Sequence, residues 1–159
     1  MSIEIRPVAD GDRGWVAATI RERWGSDIAV AHGVIHRPAE LEGFVALEGS
    51  RPVGLLTFSR DGDALEIVTI DAFPPAAGTG TALMDAAVET ARARGCRRVV
   101  LMTTNDNLDA LRFYQRRGFR IATVRPGAVA AARVLKPQIP ETGAYGIPMR
   151  DELELERDV

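Results

Sequence analysis

Gly78 and Gly80 lie one residue apart in AFPPAAGTGTALM, residues 72–84, between an apolar run and the start of a helix-like stripe. A helix start leaves its first backbone N–H groups unpartnered and carries the positive end of the helix dipole, so this junction suits a phosphate or pyrophosphate. Glycine lets ligand oxygens approach the backbone and relieves φ constraints. Two phosphate motifs fail on inspection. A P-loop needs Gly-Lys-Ser/Thr, and Gly80 is followed by Thr81-Ala82. A dinucleotide fingerprint wants a small residue at Leu83 and a parallel βαβ series. Just upstream, LEIVTIDAF holds two carboxylates, Glu66 and Asp71, in an apolar strand. Burial there would raise a carboxyl pKa and suit it to accept protons near neutrality.

These residues need elements to hold them. SIEIRPV alternates like a strand. Asp10 is placed to cap a helix carrying Trp15, Val16, Ile20 and Trp24, with Gly25 as its stop. Residues 26–41, which include His32 and His36, read as a short helix and a loop. Short turn-rich connectors, EGSR and RDGD, split residues 43–48, 52–60 and 63–73 into an antiparallel meander. The period then changes. Leu83, Met84, Ala87, Val88 and Ala91 form a helical stripe ended by Gly95. CRRVVLMTT is a buried strand, NLDALRFYQRRG a second helix and FRIATV another strand. Residues 125–150 form a long, proline-stiffened insertion with a short helix at 128–135, and DELELERDV closes as a strand.

The chain has 159 residues, 46% of them apolar and 26% charged, which is one ordinary globular domain over 1–159. A net charge of -2 gives no cationic field for nucleic acid or membranes. No apolar run nears the roughly 20 residues that span a bilayer, and the N-terminus has no signal-peptide core. The single cysteine, Cys96, cannot pair internally and fits a reducing compartment, the cytoplasm. It opens an apolar run and reads as core filler. No Cys/His cluster has metal-ligand spacing, so no metal is expected.

The order of strand, glycine turn with helix, strand and second helix resembles the GNAT family of N-acetyltransferases, over residues 1–124 and most specifically 64–119. PAAGTGTALM is similar to that family's acyl-CoA pyrophosphate loop, Q/R-x-x-G-x-G/A. Asn107 to Phe119 resembles its second hallmark, N-x-x-A-x-x-F-Y-x-x-x-G-F. The loop departs at Pro75, where the family has Gln or Arg, and at Ala76, often a glycine. Proline has no N–H, so the cradle would rest on the amides of Ala77, Gly78, Thr79, Gly80 and Thr81, helped by the Thr79 and Thr81 hydroxyls. The tail from Arg125 onward looks like one in a bacterial subgroup of the family and supplies no substrate. The resemblance implies an α+β, three-layer fold: a mixed, mostly antiparallel sheet of about six or seven strands with helices on both faces.

It also implies acetyl-CoA as cosubstrate and an acyltransferase that moves acetyl to a primary amine of a small molecule or protein, by direct attack in a ternary complex. The strand end at Ile70, Asp71 and Ala72 would splay from its neighbour and bind the pantetheine arm and thioester carbonyl. Asn107 would contact the coenzyme, although Asn also suits a helix cap. Tyr114 would protonate the departing thiolate, although it also fits an apolar helix face. Glu66 is the first candidate for the base, Asp71 the second and a water relay the third. Arg112, Arg116 and Arg117 are candidates for the coenzyme's 3′-phosphate. Residues 125–150 are expected to wrap the acceptor side, where Arg125, Arg133, Lys136 and Tyr145 would favour an acceptor with a carboxylate or phosphate. Exposed apolar strands offer a homodimer surface. Two other readings stay open: a non-catalytic acyl-CoA sensor, and a structural partner that keeps only the fold.

Overall fold

The structure is a computed structural model and describes residues 2–73 and 78–159. Seven strands form the main sheet in the order β1-β4-β5-β6-β7-β9-β8. They are β1 (Ile3–Pro7), β4 (Glu42–Glu48), β5 (Arg51–Asp61), β6 (Ala64–Ala72), β7 (Arg98–Thr104), β8 (Arg120–Arg125) and β9 (Glu152–Asp158). β2 (Ala29–Ala31) and β3 (Val34–His36) make a separate hairpin. All neighbours in the main sheet are antiparallel except β6 and β7.

The meander forms as its turn residues dictate. Gly49 and Gly62 have positive φ, at 65° and 60°, in the two tight connections. α2 (Thr79–Ala93) buries Leu83, Met84, Ala87, Val88 and Ala91, the stripe visible in the sequence. These side chains meet Leu56, Leu65 and Leu101 from the sheet in the larger core. α3 (Leu108–Arg116) packs on this core through Tyr114 and Leu111. A second cluster, Val16, Ile20 and Leu55, joins α1 (Arg13–Trp24) to the sheet, and α4 (Ala128–Leu135) contacts β2. Among the described residues no helix is long and apolar enough to cross a membrane.

Two local expectations change. Asp10 does not cap α1: residues Asp10–Asp12 form a 3-10 turn, and Asp12 is the residue before the helix. Its carboxylate instead accepts from Ala9 N–H at 2.7 Å and pairs with Arg6. In residues 26–41 the short helix is a 3-10 turn, Pro38–Glu40, and the part read as loop holds a hairpin. Ala29–Ala31 and Val34–His36 pair across a two-residue turn in which His32 and Gly33 both have positive φ, 41° and 78°. That geometry is the primed hairpin turn, and AVA-HG-VI carries its signal in β-branched flanks around His-Gly.

One irregularity matters for function. Thr57 pairs with Thr69 and Phe58 with Ile67, so Val68 bulges out of the β5–β6 ladder. A bulge bends its strand and increases the local twist. Pairing of β6 with β7 stops at Ile67↔Leu101, although β6 runs on to Ala72 and β7 to Thr104.

Candidate active site

The two parallel strands therefore diverge into a wedge. On the β5 side the ladder continues to Gly54↔Ala72. On the β7 side the backbone of residues 68–72 has no strand partner among the described residues. A cavity of about 250 Å³ fills the wedge, walled by Ile70, Asp71, Thr103, Asn107, Ala110 and Tyr114. A neighbouring cavity of about 430 Å³ shares Trp24, Val68, Met102, Thr103 and Asn107 with it. The splayed strand expected at Ile70 to Ala72 is present, with Ile70 and Asp71 on the cavity wall.

Tyr114 both packs and faces the opening. Its ring touches Phe113 and Phe119 at centroid distances of 5.6 and 5.9 Å. Gly118, at φ 88°, ends α3 and lets Phe119 N–H donate to Tyr114 O at 3.1 Å, which fixes that aromatic pair. The hydroxyl makes no hydrogen bond to a described residue. Burial, then the Asp71 carboxylate, push the phenol further up from its ordinary range. It stays protonated and available as a donor. Asn107 occupies the N-cap position of α3 but makes no capping bond. Its amide donates to Thr103 Oγ1 at 3.1 Å and borders both cavities.

Asp71 accepts from Trp24 Nε1 at 3.0 Å. Burial raises its pKa, opposed by the Trp24 hydrogen bond and by Arg23. Glu66 is only 3% exposed and lines neither cavity. His32 Nε2 lies 2.7 Å from its Oε1, and His36 Nε2 lies 4.0 Å from its Oε2. His36 Nε2 is buried without a hydrogen-bond partner. These three residues bring donor atoms within 4.8 Å of one another, close enough to share a metal ion. Linear spacing could not reveal this group, because the hairpin folds back over β6.

The glycine turn is built by packing as well as by φ. Gly78 precedes α2 at φ 77°, with open space around its Cβ position. The first helical bond runs from Ala82 N–H to Gly78 O at 3.0 Å, so the N–H groups of Thr79, Gly80 and Thr81 have no helical acceptor. A Cβ on Gly80 would sit 3.1 Å from two ring carbons of Phe113. Gly80 is thus small because α3 crosses close to α2. Thr79 is buried, its methyl against Gly54. The Thr81 hydroxyl accepts from Arg117 Nε at 3.1 Å, and that guanidinium stacks on Phe113 at 3.6 Å. Of the three arginines proposed for a phosphate, Arg117, just after α3, is the one held at the turn. Ala77, expected in the cradle, lies outside the described residues, as do Pro74, Pro75 and Ala76.

The segment 125–150 forms one wall of the larger cavity through Val129, Ala132, Lys136, Ile139, Pro140 and Met149. It is tied down by the loop between β7 and α3. Asn105 Oδ1 accepts from Arg150 and Asp151 N–H at 2.9 and 3.0 Å, and its amide donates to Pro148 O at 3.0 Å. Asp106, 5% exposed, accepts from Ala144 N–H at 2.9 Å. The sequence reading passed over both; adjacent polar residues at a helix start look like caps. Of the four acceptor contacts expected, Lys136 alone borders the cavity. Arg125 pairs with Glu152 and Glu154, Arg133 binds the carbonyls of Ile139 and Pro140, and Tyr145 reaches out to Asp109.

The sequence model of the acetyltransferase (GNAT) family matches residues 12–119. The uncharacterized protein YdhI of Bacillus subtilis is 42% identical over 134 residues, 83% of each chain. The uncharacterized protein YxbD of the same organism is 38% identical over 158 residues and spans 99% of both chains, the 125–150 segment included. The solved structure of a GNAT family acetyltransferase from Elizabethkingia anophelis with acetyl-CoA bound superposes with a TM-score of 0.70. It covers 99% of this chain and 98% of that one at 21% identity, so it speaks for the fold.

Proposed function

We propose a reaction from one established premise: the chain belongs to the acetyltransferase (GNAT) family. It moves an acetyl group from acetyl-CoA to a primary amine, with both held at once in the wedge between β6 and β7. The observation that carries this reading is the end of β6–β7 pairing at Ile67↔Leu101, with Asn107 and Tyr114 lining the gap beyond it. The β7-facing backbone of residues 68–72 can hold the pantetheine arm and polarise the thioester carbonyl. The pyrophosphate sits at the free N–H groups of Thr79, Gly80 and Thr81, beside Arg117. Acetyl-CoA bound in the Elizabethkingia relative supports the choice of cosubstrate.

The chemistry then assigns itself by exposure to the cavity. The amine nitrogen attacks the thioester carbon, and the C–S bond breaks. Tyr114 gives its proton to the departing thiolate; a phenol held in its neutral form is suited to that role. The amine loses its proton to Asp71, which lines the wedge and whose proton affinity burial raises. A second reading keeps Glu66 as the acceptor through His32, supported by their 2.7 Å contact. Cys96, a lone buried thiol, supports placement in the cytoplasm.

Calorimetry with acetyl-CoA followed by thiol release over a panel of amines tests the whole reading. Absence of binding at millimolar acetyl-CoA refutes it. Binding without release on any amine points to a sensor of acyl-CoA instead.

A further inference from the structure

We propose that Lys136 recognises an anionic substituent, a carboxylate or phosphate, on the amine that this protein acetylates. The proposal rests on the acetyl-transfer reading above and narrows its acceptor to small anionic amines.

Lys136 is 4% exposed, yet it borders the cavity of about 430 Å³ next to the wedge. Among the described residues its ammonium makes no ion pair and no hydrogen bond. Its nearest aromatic neighbour is Trp24, with Nζ 5.8 Å from the ring centroid. A buried ammonium without a counter-charge is unfavourable, and proteins pair such groups. Burial accordingly lowers the proton affinity of Lys136, and a seated anion would restore its charge.

Two other charged groups line this cavity, Glu152 and Arg23. Glu152 accepts from His32 N–H at 3.1 Å and from Arg125 at 3.2 Å. Arg23 lies over the Phe73 ring at 4.3 Å. Apart from Gln138 the wall near Lys136 is apolar, with Val129, Ala132, Ile139 and Met149. A buried cation on a largely apolar wall fixes the orientation of an anionic ligand. The lysine backbone is itself fixed, its N–H donating to Ala132 O at 2.8 Å and its carbonyl accepting from Ile139 N–H at 3.2 Å. Trp24 connects the two ends of the site: its ring faces Lys136 and its indole N–H binds Asp71 at 3.0 Å. An acceptor anchored at Lys136 would extend its amine past Trp24 toward the wedge. The volume suits a small molecule.

Two measurements test this. In the first, the indole N–H resonance of Trp24, assigned with Trp24→Phe, is followed while glutarate, N-acetyl-β-alanine or inorganic phosphate is added. Wild type should show a saturable shift at millimolar probe, weakened about tenfold in Lys136→Met and largely kept in Lys136→Arg. The probe that binds separates carboxylate from phosphate. No saturable shift with any of the three, or equal shifts in Lys136→Met, overturns the proposal. In the second, thiol release is compared for ω-amino acids, aminoalkyl phosphates and alkylamines of matched length. Wild type should prefer an anionic member about tenfold or more in kcat/KM, and Lys136→Met should lose that preference with an unchanged KM for acetyl-CoA. Wild type that favours neutral amines, or a variant that keeps the preference, refutes it. Failure of wild type to bind acetyl-CoA in calorimetry counts against the transfer reading instead, and the resonance titration still decides the role of Lys136.

Discussion

Tyr114→Phe removes one oxygen and leaves the ring that Phe113 and Phe119 pack against. The hydroxyl has no hydrogen-bond partner among the described residues, so its loss strands no donor or acceptor there. Melting should therefore move by less than about 2 °C in a domain of this size. If the hydroxyl protonates the leaving thiolate, its loss should lower kcat about 10²-fold, the lower part of the range for general acid catalysis. That fall corresponds to about 2.7 kcal/mol of transition-state stabilisation. KM for acetyl-CoA should stay within about threefold, because the ring still lines the wedge. Burial and Asp71 push the phenol upward, so it is protonated throughout the assay range. The wild-type profile should then show no loss of rate below pH ~10 that Tyr114→Phe abolishes. The assay is thiol release at saturating amine beside a thermal melt of each protein. A variant with kcat within about threefold of wild type and an unchanged melt would leave Tyr114 as a core aromatic only.

Four further substitutions separate packing from chemistry. Asp71→Asn should abolish the acidic limb of the rate profile. In wild type, activity falls as pH drops through a carboxyl value lying above the ordinary range, since burial raises Asp71; an unchanged limb transfers the role to Glu66, checked by Glu66→Gln. Gly80→Val should destabilise the fold by about 1–3 kcal/mol, because a Cβ there already meets the Phe113 ring at 3.1 Å. Denaturant melts would show it, and an undisturbed melt with weakened acetyl-CoA binding would restore the view that Gly80 serves ligand approach alone. Asn105→Ala removes three hydrogen bonds to residues 148–151 and should cost about 1–3 kcal/mol, with faster proteolysis within 125–150. Unaltered proteolysis would mean that Asp106 anchors the segment unaided.

Much of the frame was legible because it is local. The period-two runs of the meander, the helical stripe from Leu83 to Ala91 and the glycines that end helices each report on neighbours within a few residues. The hairpin at residues 29–36 escaped because its strands are three residues long and its turn is His32-Gly33 in place of the usual Asn-Gly or Asp-Gly signal. Asn107 and Tyr114, named from one motif, and Asp71, named from the strand before the glycine turn, all line the wedge.

What each of these side chains faces was decided by tertiary structure. Glu66 and Asp71 are five residues apart on one strand, and the sequence ranks Glu66 first as the base, yet the hairpin buries Glu66 under His32 while Asp71 lines the cavity beside Trp24. Gly80 reads as room for a ligand until α3 is seen to press Phe113 against it. Arg125, Arg133 and Lys136 form one basic set along the chain. Only long-range pairing shows that acidic residues of β9 hold Arg125 and carbonyls of the segment itself hold Arg133, while Lys136 faces the chamber. Sequence determines which groups are available and which elements carry them. Which of them remain unsatisfied, and so free to bind, depends on contacts between distant parts of the chain.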